Sequence, residues 1–331
     1  MKHAIITENL TKKFNEDTAV DDLSLNVERG ELFGLLGPNG AGKTTTIKML
    51  STLLEPTSGF AQVAGFDVSK EKDEVRASMG IVFQDPAVDI KLTGKENLEF
   101  HAMMYGMEKN AREERIKEVL KLVELTEKSD ALVENYSGGM KRRLEIARGL
   151  IHHPKVLFLD EPTLGLDAQT RRRIWGYIKK LNREEDITII LTTHYMEEAD
   201  ILCDRIAIID FGKIIALDTP DRLKELLGGD VISLEVSGDV EKFTVKLNSV
   251  EWVKSVKKHD SKLALAVERG EKRIPELIDI SRENGVVVES VSLRKPSLED
   301  VFLHFTGKTI RETESNRTKT GKEMIMRKLR K

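Results

Sequence analysis

Gly37, Gly40, Gly42, Lys43 and Thr44 stand at the spacing G-x-x-x-x-G-K-T inside the stretch GPNGAGKTT. The chemistry open to that combination is capture of a polyphosphate. Glycines without Cβ atoms let the backbone curl until successive N–H groups point at one anion. Lys43 can then reach the β- and γ-phosphates, and the Thr44 hydroxyl can bind Mg²⁺. A second anion-binding stretch follows about a hundred residues later. There Ser137, Gly138 and Gly139 precede Met140, Leu144, Ala147 and Ile151, spaced like the buried face of a helix.

The elements that must position these residues are short apolar runs. Leu32 to Leu36 leads into the phosphate loop, and a helix opens at about Gly42. GIVFQD runs to Gln84, VLFLDEP to Asp160 and Glu161, and TIILTTH to His194. With helical patterns between them, these runs predict buried strands of a largely parallel sheet. Ligands of open α/β sheets lie beyond the carboxyl ends of the strands, so Gln84, Asp160, Glu161 and His194 should converge on the phosphate loop. Taken singly, Gln84 reads as a strand-end surface residue, His194 as a loop histidine and Asp160 as a cap. Their joint placement favours chemistry. Asp160 suits Mg²⁺, Glu161 can orient or deprotonate a water, Gln84 can touch metal and water, and His194 can donate to a γ-phosphate.

The ordered set resembles the ATP-binding subunit of ABC transporters over about residues 3 to 220. It comprises Phe14 in TKKF, GPNGAGKTT, Gln84, YSGGM, VLFLDE, LGLD and His194. The resemblance implies ATP contacts from Gly37, Pro38, Asn39, Gly40, Ala41, Gly42, Lys43, Thr44 and Thr45, and adenine stacking on Phe14. By itself Phe14 reads as a core aromatic. The metal ligands implied are Thr44, Gln84 and Asp160. In the family two cassettes meet head to tail, which assigns Ser137, Gly138 and Gly139 to the partner's nucleotide and Asp167 to alignment of the halves. That arrangement gives one chain two phosphate-binding stretches. Tyr136 and Met140 depart from the commonest signature, and YSGGMKRRLEIARGL with TTHYMEEAD looks like the daunorubicin-resistance-type exporter branch.

The implied fold is α/β: a P-loop NTPase cassette over residues 1–220, with a RecA-like parallel-sheet core and a helical subdomain at about 88–150. The latter includes AREERIKEVLKLVEL, apolar at Ile116, Val119, Leu120 and Val123. Residues 221–306 read as β-α-β-β-α-β, a small ferredoxin-like α+β domain. Its strands are expected at Val231–Val236, Val250–Lys257, Leu263–Val267 and Val286–Ser292, its helices at about Val240–Leu247 and Lys272–Asn284. Ser297 and Asp300 then form a capping-box-like start to a last helix. No chemistry-bearing cluster marks this domain, which reads as a dimerising or regulatory module, with a small-ligand sensor as the alternative.

Composition narrows the function classes. Of 331 residues 40% are hydrophobic and 33% charged, as in ordinary globular proteins. No apolar run approaches bilayer length, and the N-terminus lacks a signal-peptide core, so the expected location is the cytoplasmic face of the membrane, attached to a permease. A lone Cys203 excludes an internal disulfide framework. Net charge of −3 gives no global reason to expect nucleic acid. The last 25 residues, 307–331, carry nine Lys or Arg against three Glu, a net of +6. They read as a disordered tail, with contact to anionic lipid as the sharper alternative. The reading is thus a Mg²⁺-dependent ATPase subunit of an exporter, acting as a dimer. The rivals are an importer cassette and a soluble ABC-type ATPase acting on nucleic acid or ribosomes.

Overall fold

The computed structural model describes residues 2–227, 229–259 and 262–306. The basic tail expected at 307–331 lies outside them. The chain divides into two compact units, one ending at Leu217 and one beginning at Asp218.

At the centre of the first unit is a six-stranded sheet in the order Lys213–Asp218, Arg205–Asp210, Leu32–Leu36, Thr188–Thr193, Val156–Asp160, Met79–Val82. The four junctions running from Arg205–Asp210 to Met79–Val82 are parallel. Leu32–Leu36, Val156–Asp160 and Thr188–Thr193 are buried throughout. Burial on both faces is what continuous apolar runs, rather than alternating ones, demand. The register brings the strand ends level: Leu36 pairs with Thr193, Thr192 with Asp160 and Leu159 with Val82. The hairpin between Asp210 and Lys213 turns on Phe211 and Gly212, both at positive φ, 45° and 77°. That is the twist-compatible geometry of a two-residue turn. Gly212 also donates to the Ala41 carbonyl at 2.9 Å, tying the turn to the phosphate loop.

A second, antiparallel sheet, in the order Asp17–Glu28, His3–Phe14, Ser58–Val63, Phe66–Asp67, precedes and flanks the phosphate loop in sequence. Repeated register shifts interrupt its longest ladder. Ile5, Leu10, Val20 and Leu23 from this sheet share one core with Ile47 and Met49 of the helix Lys43–Leu50 and with Phe33 and Phe158 of the central sheet. The phosphate-loop helix is therefore held on an apolar bed. Residues between the strands Met79–Val82 and Val156–Asp160 are mostly helical: Gly94–Met104, Lys109–Leu122 and Gly138–Leu150. Thr93 and Glu96 form a capping box at the first of these. Ile116, Val119, Leu120 and Val123 are all buried.

The second unit runs strand Asp230–Ser237, helix Val240–Asn248, strands Val253–His259 and Lys262–Val267, helix Gly270–Glu283, strand Val287–Arg294. Numbered within this unit, its sheet order is 2-3-1-4, and the pairings are antiparallel. This is the ferredoxin-like arrangement expected from the element order. The strand expected from Val250 starts at Val253, because Val250 and Val253 close turns after the preceding helix. Ser297 and Asp300 exchange hydrogen bonds ahead of the last helix, Leu298–Thr306.

Candidate nucleotide-hydrolysis site

The level strand ends bring Asp160, Glu161 and His194 to the phosphate loop. Lys43, the first residue of its helix, is 5% exposed, and its ammonium donates to the carbonyls of Gly37 at 2.7 Å and Pro38 at 3.3 Å. The lysine thus helps hold the loop shape that surrounds it. Gly42 sits at φ 108°, and a Cβ there would stand 2.5 Å from the Ala19 carbonyl. A Cβ on Gly37 would stand 2.2 Å from the Ile209 carbonyl. Only glycine fits either position.

Asp160 is buried at 1% exposure, with Thr44 Oγ1 3.2 Å from its Oδ1 and the Thr192 hydroxyl bonded to the same oxygen. A hard carboxylate beside a threonine hydroxyl at the mouth of a phosphate loop is a donor set that suits Mg²⁺. Glu161 has φ 50°, a left-handed conformation that costs a non-glycine residue about 1 kcal/mol or more. Thr192 holds it there, its hydroxyl and carbonyl accepting the Glu161 N–H at 3.0 and 3.2 Å. The Glu161 carboxylate meets Lys43 Nζ at 3.2 Å through one oxygen and His194 Nδ1 at 2.6 Å through the other. Burial pushes this carboxyl up, but the His194 hydrogen bond and the Lys43 charge outweigh it and leave it below the ordinary range. Glu161 is therefore ionised at neutral pH.

Gln84 lies exposed two residues past the end of Met79–Val82, the strand next to Val156–Asp160. Phe14 ends the strand His3–Phe14 and is 46% exposed with Lys12 Nζ 5.2 Å from its ring centroid, so it is not a core aromatic. Ser137 caps the helix Gly138–Leu150 by accepting from Met140 N. Ser137 and Gly138 are exposed, and their segment backs onto the next loop: added Cβ atoms on Gly138 and Gly139 would meet Leu166 and Thr170. Asp167 caps the helix Ala168–Glu185, accepting from Gln169 N, Thr170 N and the Thr170 hydroxyl. The signature and the Asp167 loop thus form one surface.

Residues 219–306 match the family described as ATP-binding protein DrrA1-3-like, C-terminal domain, and residues 20–164 match the family described as ABC transporter. The chain is 42% identical over 308 residues to the linearmycin resistance ATP-binding protein LnrL of Bacillus subtilis (strain 168), covering 92% of this chain and 99% of that one. The chain belongs to the ABC transporter ATP-binding family. It is 41% identical to the daunorubicin resistance ATP-binding protein DrrA2 of Streptomyces coeruleorubidus, covering 95% and 98%. The dimeric MJ0796 cassette solved with ADP and Pi aligns with a TM-score of 0.58 at 30% identity, covering 65% of this chain and 98% of that one. Like other cassettes of the family this one is an ATPase, in the branch that carries drug-resistance-type exporters.

Sequence reasoning overlooked Thr192 and Glu198. Glu198 is 1% exposed, and its Oε1 accepts from the Thr163 hydroxyl at 2.7 Å and from Trp175 Nε1 at 2.8 Å. It links the helix after His194 to the segment after Glu161. The available signal was an acidic residue on the apolar face of TTHYMEEAD.

Proposed function

We propose that two copies of this cassette bind two ATP molecules head to tail and power export of a drug-like or lipophilic substrate through separate permease subunits. The observation that carries this reading is the exposure of Ser137 and Gly138 at the start of a helix other than the one that carries the buried Lys43. Amide donors so placed serve a nucleotide held by another chain. Asp167, on the same surface, aligns the halves.

In this reading Gly37 to Thr45 wrap the phosphates and Phe14 stacks on the adenine. Mg²⁺ would be held by Thr44, Asp160 and Gln84, and would neutralise phosphate charge. Glu161, already ionised, orients and deprotonates the attacking water, and His194 donates to the γ-phosphate. ATP favours the closed dimer because only there do both chains contact its γ-phosphate.

The permease contact is assigned to the groove beside the Gln84 loop. Its volume is about 480 Å³, and Phe83, Leu92, Phe100, Met104 and Tyr105 give it an apolar lining. Phe100 and Met104 are 61% and 69% exposed. Among the described residues no helix is long and apolar enough to cross a membrane. We assign the substrate path to the permease chains, with this chain peripheral to them at the cytoplasmic face. The relatives' resistance functions favour export over import.

Cysteines placed at Asn39 and Gly138 should crosslink between two chains when ATP is present, with native Cys203 buried and silent. Crosslinks confined to one chain, or formed only without ATP, contradict the head-to-tail dimer. Inverted membrane vesicles containing the cassette and its permease should accumulate a lipophilic probe in an ATP-dependent manner; ATP-driven movement in the opposite sense overturns export.

A further inference from the structure

One side chain joins three segments of the cassette. Arg142, on the signature helix Gly138–Leu150, is 7% exposed. Its Nε donates to the Pro162 carbonyl at 2.7 Å and its Nη2 to the Asp160 carbonyl at 3.0 Å. These two carbonyls flank Glu161 in sequence. From the other side of the same guanidinium, Nη1 donates to the Phe83 carbonyl at 2.6 Å and to Glu145 Oε2 at 2.9 Å. Glu145, one turn on and 2% exposed, accepts the Ala87 N–H through Oε1 at 2.7 Å. Arg148, a further turn along the same face, donates to the Ala87 carbonyl. Gln84 lies between Phe83 and Ala87.

We propose that Arg142, braced by Glu145, is a positioning residue that ties the Phe83–Ala87 loop to the backbone on both sides of Glu161, so that movement of that loop is passed to the hydrolytic carboxylate. The physical basis is the geometry of the planar guanidinium. Its donors diverge at fixed angles, so contacts on opposite edges move as one body. A buried guanidinium cannot shed a partner cheaply, because the group left behind would be uncompensated. Glu161 needs such bracing because its own backbone is left-handed. The proposal rests on the reading of Glu161 as the hydrolytic carboxylate. That reading fails separately if Glu161→Gln retains turnover.

The test uses the full chain. Arg142→Met keeps an apolar stem and removes every donor; Arg142→Lys keeps the charge without the fork; Glu145→Gln keeps an acceptor for Ala87 and removes the charge that braces Arg142. Each is measured for kcat, for KM of ATP, and by a spin label on a cysteine at the exposed Asp85 position. Both Arg142 variants are expected to lower kcat about ten- to a hundredfold with KM changed less than about threefold. Their Asp85 label should no longer respond to ATP, although ATP binds. Glu145→Gln should lose a few-fold in kcat and part of the label response. A residue that merely stabilised the fold would lower the melting temperature and leave kcat and the label response of the folded molecules intact; that result overturns the proposal. Full activity and full label response in Arg142→Lys overturn it too, since charge alone would then suffice. If Arg142→Met does not fold, the Arg142→Lys and Glu145→Gln outcomes decide.

Discussion

The Lys43 ammonium lies 3.2 Å from the Glu161 carboxylate, with both side chains buried. The residue proposed to grip phosphate and the residue proposed to activate water are therefore electrically coupled through a low-dielectric contact. A phosphate arriving at Lys43 competes for the same charge.

Glu161→Gln keeps the size of the side chain and removes its capacity as a base. ATP binding should remain, turnover should drop by about two or more orders of magnitude, and a nucleotide-bound dimer should accumulate. ATPase assays with and without permease, alongside gel filtration in ATP, check this. Near-normal turnover would falsify the assignment.

The depressed Glu161 carboxyl also has a stability signature. A group whose folded pKa lies below its unfolded value of 4.5 adds stability that is fully present above that value and is lost as pH falls through the folded one. The stability advantage of the wild type over Glu161→Gln should accordingly shrink on acidification below about pH 4.5, as read from urea midpoints at several pH values.

Glu198 behaves in the opposite sense. Burial raises its carboxyl, against hydrogen bonds from Thr193, Thr163 and Trp175, and the Glu161 charge adds to the rise. The folded state then holds the proton above pH 4.5, so stability falls as pH rises from there towards the folded value. Relative to wild type, Glu198→Gln should gain stability as pH rises above 4.5, because it lacks this titration. Glu198→Ala should cost about 2–4 kcal/mol by leaving the Trp175 N–H and the Thr163 hydroxyl unpaired. Equal pH slopes for wild type and Glu198→Gln would refute the first expectation.

Phe14→Ala should weaken ATP about five- to tenfold, the loss of one stacked aromatic, while leaving the melting temperature within a degree or two, since the ring is already half in solvent. Phe14→Trp should restore binding. Nucleotide titration by fluorescence separates these; unchanged affinity in Phe14→Ala removes the stacking role.

The basic segment supplies a last expectation. Deleting Arg311 to Lys331 should weaken co-sedimentation with anionic vesicles in the absence of permease, and the difference should fade at high salt. Equal binding by both forms removes the lipid contact.

Much of this was legible in the linear chain because its signals are local. Gly37 to Thr44 form a contiguous loop, the runs ending at Asp160 and His194 carry their own burial pattern, and the β-α-β-β-α-β order of the second unit follows from periodicity and turns. The antiparallel sheet containing His3–Phe14 was not legible, since its bulges break the strict alternation that marks a half-buried strand. Tertiary structure alone decided which side chains touch. Thr44 and Asp160 are 116 positions apart, and they meet because the strand Thr188–Thr193 lies between theirs in one particular order and register. Periodicity records which face of a strand is buried; it carries no record of the neighbouring strand, because parallel pairing depends on backbone groups that every residue shares. The same reason hid Arg142: its partners are three backbone carbonyls and one carboxylate, and a carbonyl leaves no mark in a sequence.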